Sequence, residues 1–493
     1  MWYNKIPRFR PVPVLPTVYS DALSYEEQIG KLGAKCNEII DEVNKIAESI
    51  PVIADDFFAT PEQYGAIGDG TTDDTTAIQN CLNSDKNIVV FSKDYKVGEI
   101  LVPDNKTIIG INETLIKCST PMVISEKKNV NIKGVKFTTT SLYQQTALTI
   151  YKSENIIIEN CEFEGVYGGD IISTGIVNVT YCDNCMFLND KIYGANGEGL
   201  LIGNSTHCTV KGGKYYNNRR GSGVHVYVDD YGEVYGWNLI DGVECYNNAG
   251  SNIGISGYKC ACVNCFIHDN NDTTFAIAMG HPNAGGSECI VANNLLINNN
   301  NNIYTYEATN SIIANNVIDS KDKENPIEPY TCTGVSASAN SYGITVANNI
   351  ITGVEYGVSG ASYVSDNYIK ASERGIEYNV NAEIKTYADN NTIEECKVGC
   401  FKVCEIRNCR ISASINAIQG EGIFVNNTLN SETIAIYELD TNDVSFITNN
   451  VITSVDGPIY TSKTGVFEYN MLLGSADITA PNMTAENNYD FAS

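Results

Sequence analysis

From Val130 onward, apolar residues come in short strand-like runs of two or three, each bounded by a turn residue and a polar loop. Aligning the runs gives one column: Gly134, Asn160, Asn184, Gly212, Gly242, Asn264, Asn294, Asn316, Asn349, Asn367, Asn391, Asn408, Asn427, Asn450 and Asn470. Only Asn and Gly occupy it. These residues accept a left-handed backbone at the lowest steric cost, so each unit is expected to turn a corner there. Self-similarity at roughly 20 to 30 residues, with β-branched segments between turns, predicts a β solenoid. At ~4.8 Å per rung the column implies a rod on the order of 70 Å long. The expected fold class is all-β, a single-stranded solenoid of stacked coils.

The residues before the repeat follow other periods. Pro7, Pro11, Pro13 and Pro16 exclude helix and central strand, so the first stretch is expected to be an extended arm. Ser24 and Glu27 form a capping box, after which Ile29, Leu32, Cys36, Ile39, Val43, Ile46 and Ile50 recur at intervals of three and four. That seam predicts a self-associating coil, with a homotrimer as its state. The chain therefore divides into an arm and coil at 1–55, a capping helix with the first coils at 56–129, and the solenoid at 130–493.

The 493 residues carry a formal net charge of -27, a field that repels nucleic acid and anionic membranes. The opening MWYNKIPRFR lacks the apolar segment of a secretory signal, so assembly in a bacterial cytoplasm is expected. The 17 cysteines are odd in number, which favours free thiols over a disulfide framework. Cys161, Cys185, Cys265 and Cys409 each follow a column member, where other units have Val135, Val317, Ile350 and Val451, and so are expected to pack inward. The pairs Cys182/Cys185 and Cys262/Cys265 also have metal-ligand spacing, but the inward register accounts for the same residues.

Tyr64 to Leu82 reads YGAIGDGTTDDTTAIQNCL: two glycine turn signals, a Thr/Asp cluster, then Ala77, Ile78, Cys81 and Leu82 at helical spacing. This stretch is very similar to the opening motif of right-handed parallel β-helix proteins of the pectin-lyase-like superfamily. The resemblance implies a right-handed helix whose open end this segment plugs. Asp69, Asp73 and Asp74 then read as turn and cap residues. The segment PVPVLPTVYSDALSYEEQIGKL resembles the amino-terminal anchoring segments of tail and appendage proteins in phages of Gram-positive bacteria. That resemblance implies a virion location, with other tail or collar proteins as partners of the first fifty or so residues.

Candidate chemistry concentrates between about 190 and 335. Column intervals lengthen there, with extra segments at Tyr193 to Glu198, Tyr227 to Asn238, Met279 to Glu288 and Lys321 to Gly334, and such loops build walls on one face of a solenoid. Placing Val224, Ile253, Phe275 and Ile303 in one inward column turns His225/Tyr227, Gly254/Ser256, Ala276/Ala278 and Tyr304/Tyr306 outward. Small residues then floor a groove with aromatic walls, a surface suited to a glycan. Trp237, in the adjacent segment, and Tyr227, Tyr304 and Tyr306 are the expected sugar contacts, with a routine outward tyrosine ladder as the structural alternative.

All four histidines, His207, His225, His268 and His281, lie in this third of the chain. Nearby carboxylates include Asp170, Glu198, Asp229, Asp230, Glu233, Asp272 and Glu307. Glycoside hydrolysis needs two carboxylates in opposite protonation states. A lyase needs a base for the proton α to a uronate carboxylate, with Arg219, Arg220 or Ca²⁺ neutralising the enolate. The candidate catalytic residues are Asp229, Asp230, Glu233, Asp272, Glu307 and His225; the candidate substrate contacts add Arg219, Arg220 and His281 to the aromatics. Neither a structural metal nor an organic cofactor is expected.

Polygalacturonases share the resembled fold and carry Asn-Thr-Asp, Asp-Asp, Gly-His-Gly and Arg-Ile-Lys motifs. This chain has Asp229-Asp230 and Gly280-His281-Pro282 but neither of the other two, so pectinase chemistry does not follow from the resemblance. The expected function is a tail spike or appendage that binds, and depolymerises, a bacterial surface polysaccharide such as capsule or a teichoic-acid-like polymer. A non-enzymatic structural or receptor-binding fibre remains the alternative.

Overall fold

A computed structural model describes residues 34–35, 37–42, 57–140, 146–166, 175–229, 235–270, 275–280, 286–320, 332–338, 340–378, 385–438, 445–460, 465–474 and 483–490. Of the expected arm and coil only helical residues 34–35 and 37–42 fall among these, with Ile39 of the predicted seam 54% exposed. The remainder of 1–55 lies outside the described residues, as do Asp170, Asp230, Glu233, Asp272 and His281.

From Phe58 to Asp490 the chain winds as a parallel β-helix. One coil shows the plan: Ile290–Ala292 on a first face, Leu295–Ile297 on a second and Asn301–Thr305 on a third. In the next coil Ile312 pairs with Ile290, Val317 with Leu295 and Thr333 with Asn301, all parallel. The middle residue of each three-residue strand points inward, as the period of two dictates. Val291, Leu296, Ile313 and Ile318 are accordingly sealed from solvent. The first face forms a 19-stranded sheet, whereas the second and third belong to one 31-stranded sheet. They fuse fully at Ile350–Ser359, a ten-residue strand that runs through the bend.

The predicted corner column proves to be two columns one residue apart. Gly134, Asn160, Gly212, Gly242, Asn264 and Asn408 are left-handed where expected, with φ between 52° and 68°. Asn184 is left-handed too, but at the corner that leads into the first face, where its amide follows Asn155 and Asn129 in an outer ladder. In the later coils the left-handed residue is the preceding one: Asn293, Asn315, Asn348, Asp366, Asn390, Asn426, Asn449 and Tyr469. The predicted members Asn294, Asn316, Asn349, Asn367, Asn391, Asn427, Asn450 and Asn470 are instead buried as an internal amide ladder. Asn349, for example, accepts at Oδ1 from the backbone N–H and the amide of Asn316, at 2.8 and 3.0 Å. An Asn-Asn pair does not reveal which member turns and which buries.

The one-residue slip has a consequence. Val317 and Ile350, expected inside, are 37% and 46% exposed, while Ile318 and Ile351 fill the core. The cysteine expectation holds: the described cysteines are free thiols, and all but Cys404 are buried.

At the amino end, a 3-10 turn at Pro61–Tyr64 and the α-helix Thr75–Leu82 close the bore, with Ile78, Cys81 and Leu82 sealed from solvent. Asp74 is not a side-chain cap. Its two oxygens accept from the backbone N–H groups of Ile67 and Gly68, at 2.8 and 3.0 Å, and pin the glycine turn beneath the helix. Asp69 accepts from the N–H groups of Thr71 and Thr72, the turn role expected of it.

Candidate functional site

The third face carries the predicted groove, in a corrected register. Val224 pairs with Ile253, Ile253 with Ile277 and Ile277 with Ile303, so Ile277 rather than Phe275 occupies the inward column. The outward column is Leu201, His225, Gly254, Ala278, Tyr304 and Ser336 on successive coils. Ala276 and Ser256, expected outside, are buried, and Ser256 Oγ donates to Val226 O at 3.2 Å. Phe275, freed from the core, stacks on Tyr304 with centroids 4.2 Å apart and planes 9° from parallel.

His225 sits on the strand Val224–Tyr227 and Glu198 opens the neighbouring strand Glu198–Gly203. Glu198 Oε1 lies 3.2 Å from His225 Nδ1, and the two side chains are 22% and 20% exposed. The other carboxylate oxygen of Glu198 accepts from the backbone N–H of Ser222, which fixes the group. Tyr227 meets the imidazole edge-on at 5.6 Å. Beneath the ring is Gly254, whose lack of a side chain is required: a Cβ there would fall 2.7 Å from His225 Cδ2 and 3.2 Å from Nε2. Gly254 thus makes room for the imidazole, whose Nδ1 faces the carboxylate, and the floor of small residues continues through Ala278 to the Phe275–Tyr304 stack. Burial raises the Tyr304 phenol above its ordinary range, keeping it a neutral hydroxyl.

The other predicted residues distribute around this face. Arg219 and Arg220 are exposed at the corner just before Ser222, the Arg219 N–H bonded to Ala195 O at 2.7 Å. Asp229 is exposed past the end of the His225 strand and exchanges hydrogen bonds with Asn204, its N–H reaching Asn204 Oδ1 at 3.0 Å. Tyr306 is tilted beside Tyr304 at 6.3 Å, and Glu307 turns the following corner with φ 51° and receives the Asn340 amide at 3.4 Å. Trp237 lies elsewhere: it turns the corner into the first face with φ 54°, stacked on His207 at 5.6 Å. The pairing of Glu198 with His225 was not visible in the spacing, because 27 residues separate them and only the strand register brings them together.

A second aromatic array rises on the second face, where Tyr193, Tyr216, Tyr246 and His268 stack at 5.0, 4.9 and 4.8 Å with planes within 14°. Their faces are covered by one another, so this array is a structural ladder, built from residues other than the groove tyrosines for which a ladder was the sequence alternative. Burial, with the adjacent Glu162 carboxylate, pushes the Tyr193 hydroxyl up to about 12. Among the described residues no group of three or more His, Cys, Asp or Glu is placed to hold a metal ion.

A protein-family model agrees with this architecture. Residues 198–370, which include the Glu198–His225 pair and Tyr304, match the family model described as "Right handed beta helix region". A 57-residue stretch is 47% identical to the capsule K30/K69-specific depolymerase of Klebsiella phage K64-1. That stretch is 11% of this chain and 7% of the relative's length. Among solved structures, the bacteriophage Phi29 gene product 12 amino-terminal fragment is 14% identical, with 87% of this chain and 85% of that one covered and a TM-score of 0.48. The Dettilon tailspike protein is 15% identical, with 68% of each chain covered and a TM-score of 0.45.

Proposed function

We propose that the chain is a phage tail spike that binds a bacterial surface polysaccharide across its third face and cleaves it there by β-elimination. The observation that carries this reading is the half-buried Glu198–His225 pair, set over Gly254 beside an open floor and an aromatic stack. The capsule-depolymerase relative supports the same class of substrate.

In this reaction His225 Nε2 removes the proton α to a uronate carboxylate. The electron pair of that C–H bond becomes a carbon–carbon double bond as the glycosidic C–O bond breaks, and the departing oxygen takes a proton from water, to which the His225 imidazolium returns its own. Glu198, held by the Ser222 amide, orients the imidazole through Nδ1 and stabilises the imidazolium that forms. Arg219 and Arg220 stand at the adjacent corner to offset the charge of the uronate. A Ca²⁺ ion would serve the same end. Phe275 and Tyr304 bound the subsite beyond Ala278. Residues 1–55 join three copies and dock them on other tail or collar proteins, a role in keeping with the exposed Ile39.

The test is to incubate purified protein with polysaccharide released from the surface of a sensitive host and to follow polymer size by chromatography. Depolymerisation by the wild type, lost in His225→Ala with circular dichroism unchanged, is expected. Retention of the polymer at full length, with tight binding, would instead make the chain a receptor-binding fibre.

A further inference from the structure

The corner between the first and second faces carries an apolar band that neither the Glu198–His225 site nor the tyrosine ladder uses. In one coil Ile290, Ala292, Asn293 and Leu295 take the outward positions around this corner; in the next Ile312, Ala314, Asn315 and Val317 take the same places. The coils on either side continue the pattern, from Ala261 to Phe266 and from Thr345 to Ile350. The largest side chains, Phe266, Ile290, Leu295, Ile312, Val317 and Ile350, are each 37% to 46% exposed. Over these coils the outward positions of the band hold no charged residue. Charge returns beyond both ends: Asp241 and Glu244 stand in the corresponding places of the preceding coil, and Asp366 turns the corner of the following one.

A contiguous apolar surface of this kind marks an interface, and two features point to another copy of the chain as what covers it. The apolar residues lie on both faces of one corner and at the same heights along the rod. Rotation about an axis parallel to the rod sets the first face of one copy against the second face of the next without changing height, so that Ile312 meets Val317 and Ile290 meets Leu295. Each copy then offers a different face to each neighbour, a heterologous contact that closes into a ring. A foreign partner would need only one of the two faces. Charge gives the second reason. Copies that each carry a net charge of -27 repel one another, and here neutral surface meets neutral surface. At about 20 Å of rod by about 20 Å around the corner, the band covers on the order of 400 Å². That is below the roughly 800 Å² per partner of a self-standing complex, so the contact suits copies that are already tethered.

We infer that this corner is the surface through which copies of the chain pack side by side, first face against second. The third face lies opposite the corner, so the Glu198–His225 pair is turned outward and each copy keeps its own site. The inference rests on the reading that residues 1–55 join the copies, and does not depend on cleavage at His225.

The experiment is cysteine cross-linking of the full chain with copper phenanthroline, read on non-reducing gels beside the mass from sedimentation equilibrium. Ile312→Cys combined with Val317→Cys, and Ile290→Cys combined with Leu295→Cys, are expected to give species of more than one chain at least tenfold above the wild type and above each single variant. Ile290→Cys combined with Ile350→Cys places the thiols two coils apart, about 10 Å in height, and is expected to stay near background. All of these positions are exposed, and circular dichroism verifies the fold of each variant. A trimeric mass without the matched cross-links would overturn the inference and leave the joining role of residues 1–55 standing, whereas a monomeric mass would overturn both. Cross-links confined to one chain, as when another segment of the same chain covers the band, or equal yields from matched and unmatched pairs, would also overturn it.

Discussion

Replacing Asn349 with leucine tests the division of labour at the corners. Asn349 Oδ1 is the acceptor for the backbone N–H of Asn316, and its amide donates to Ile313 O, Ala347 O and Asn367 Oδ1, each at 3.0 Å. Leucine keeps the branched shape and is somewhat larger, so no cavity forms. The buried N–H of Asn316 loses its partner outright, whereas the Asn316 amide keeps Val291 O and Asn367 Oδ1 keeps the N–H of residue 349. One orphaned buried donor plus the broken shared bonds comes to about 3 kcal/mol. Asn348→Ala, one residue earlier, leaves the ladder intact and costs only the left-handed strain at φ 56°, about 1 kcal/mol. A solenoid need not unfold in one step, so the assay is native-state hydrogen exchange read coil by coil. Asn349→Leu should speed exchange around Asn316 and Asn367 about a hundredfold and leave the coil of Ile132 unchanged. Equal effects of the two variants, or uniform acceleration along the rod, would refute the reasoning.

Three further outcomes follow from other contacts. Cys409 interrupts the ladder, since the Asn391 N–H reaches only a sulfur at 3.4 Å; Cys409→Asn should stabilise the local coils by about 1 kcal/mol in the same exchange measurement. Gly254→Ala should displace the imidazole from Glu198 and lower kcat about tenfold with little change in KM, as steady-state assays on the polymer would register. Every described cysteine but Cys404 is buried, so iodoacetamide at pH 8 should modify Cys404 alone among them until denaturant is added, with mass spectrometry as the readout; burial also pushes the Cys161 and Cys396 thiols up to about 12.

The solenoid was legible because its cause is local. Every coil needs a left-handed corner and an inward apolar residue, and both leave a mark in the residues themselves. The register was less legible. Asn293-Asn294 and Asn315-Asn316 present two equivalent candidates for one corner, and the choice decides whether Val317 faces in or out. Phe275 was placed in the core by a different error, a shift of two residues, since Ile277 holds that position. A shift of two keeps the alternation, so His225, Gly254 and Tyr304 could still be read onto one face. Glu198 could not be assigned to His225, since their contact is set by how two distant strands align. Trp237 misled through its sequence proximity to the groove, although it turns a different corner.

The most direct measurement is absorbance of unsaturated uronate ends during incubation with host surface polysaccharide, compared between the wild type, Glu198→Gln and His225→Ala. A rising signal in the wild type, reduced by a factor of at least a hundred in His225→Ala and by less in Glu198→Gln, is what the Glu198–His225 geometry predicts. New reducing ends without unsaturation, or undiminished cleavage in His225→Ala, would contradict it.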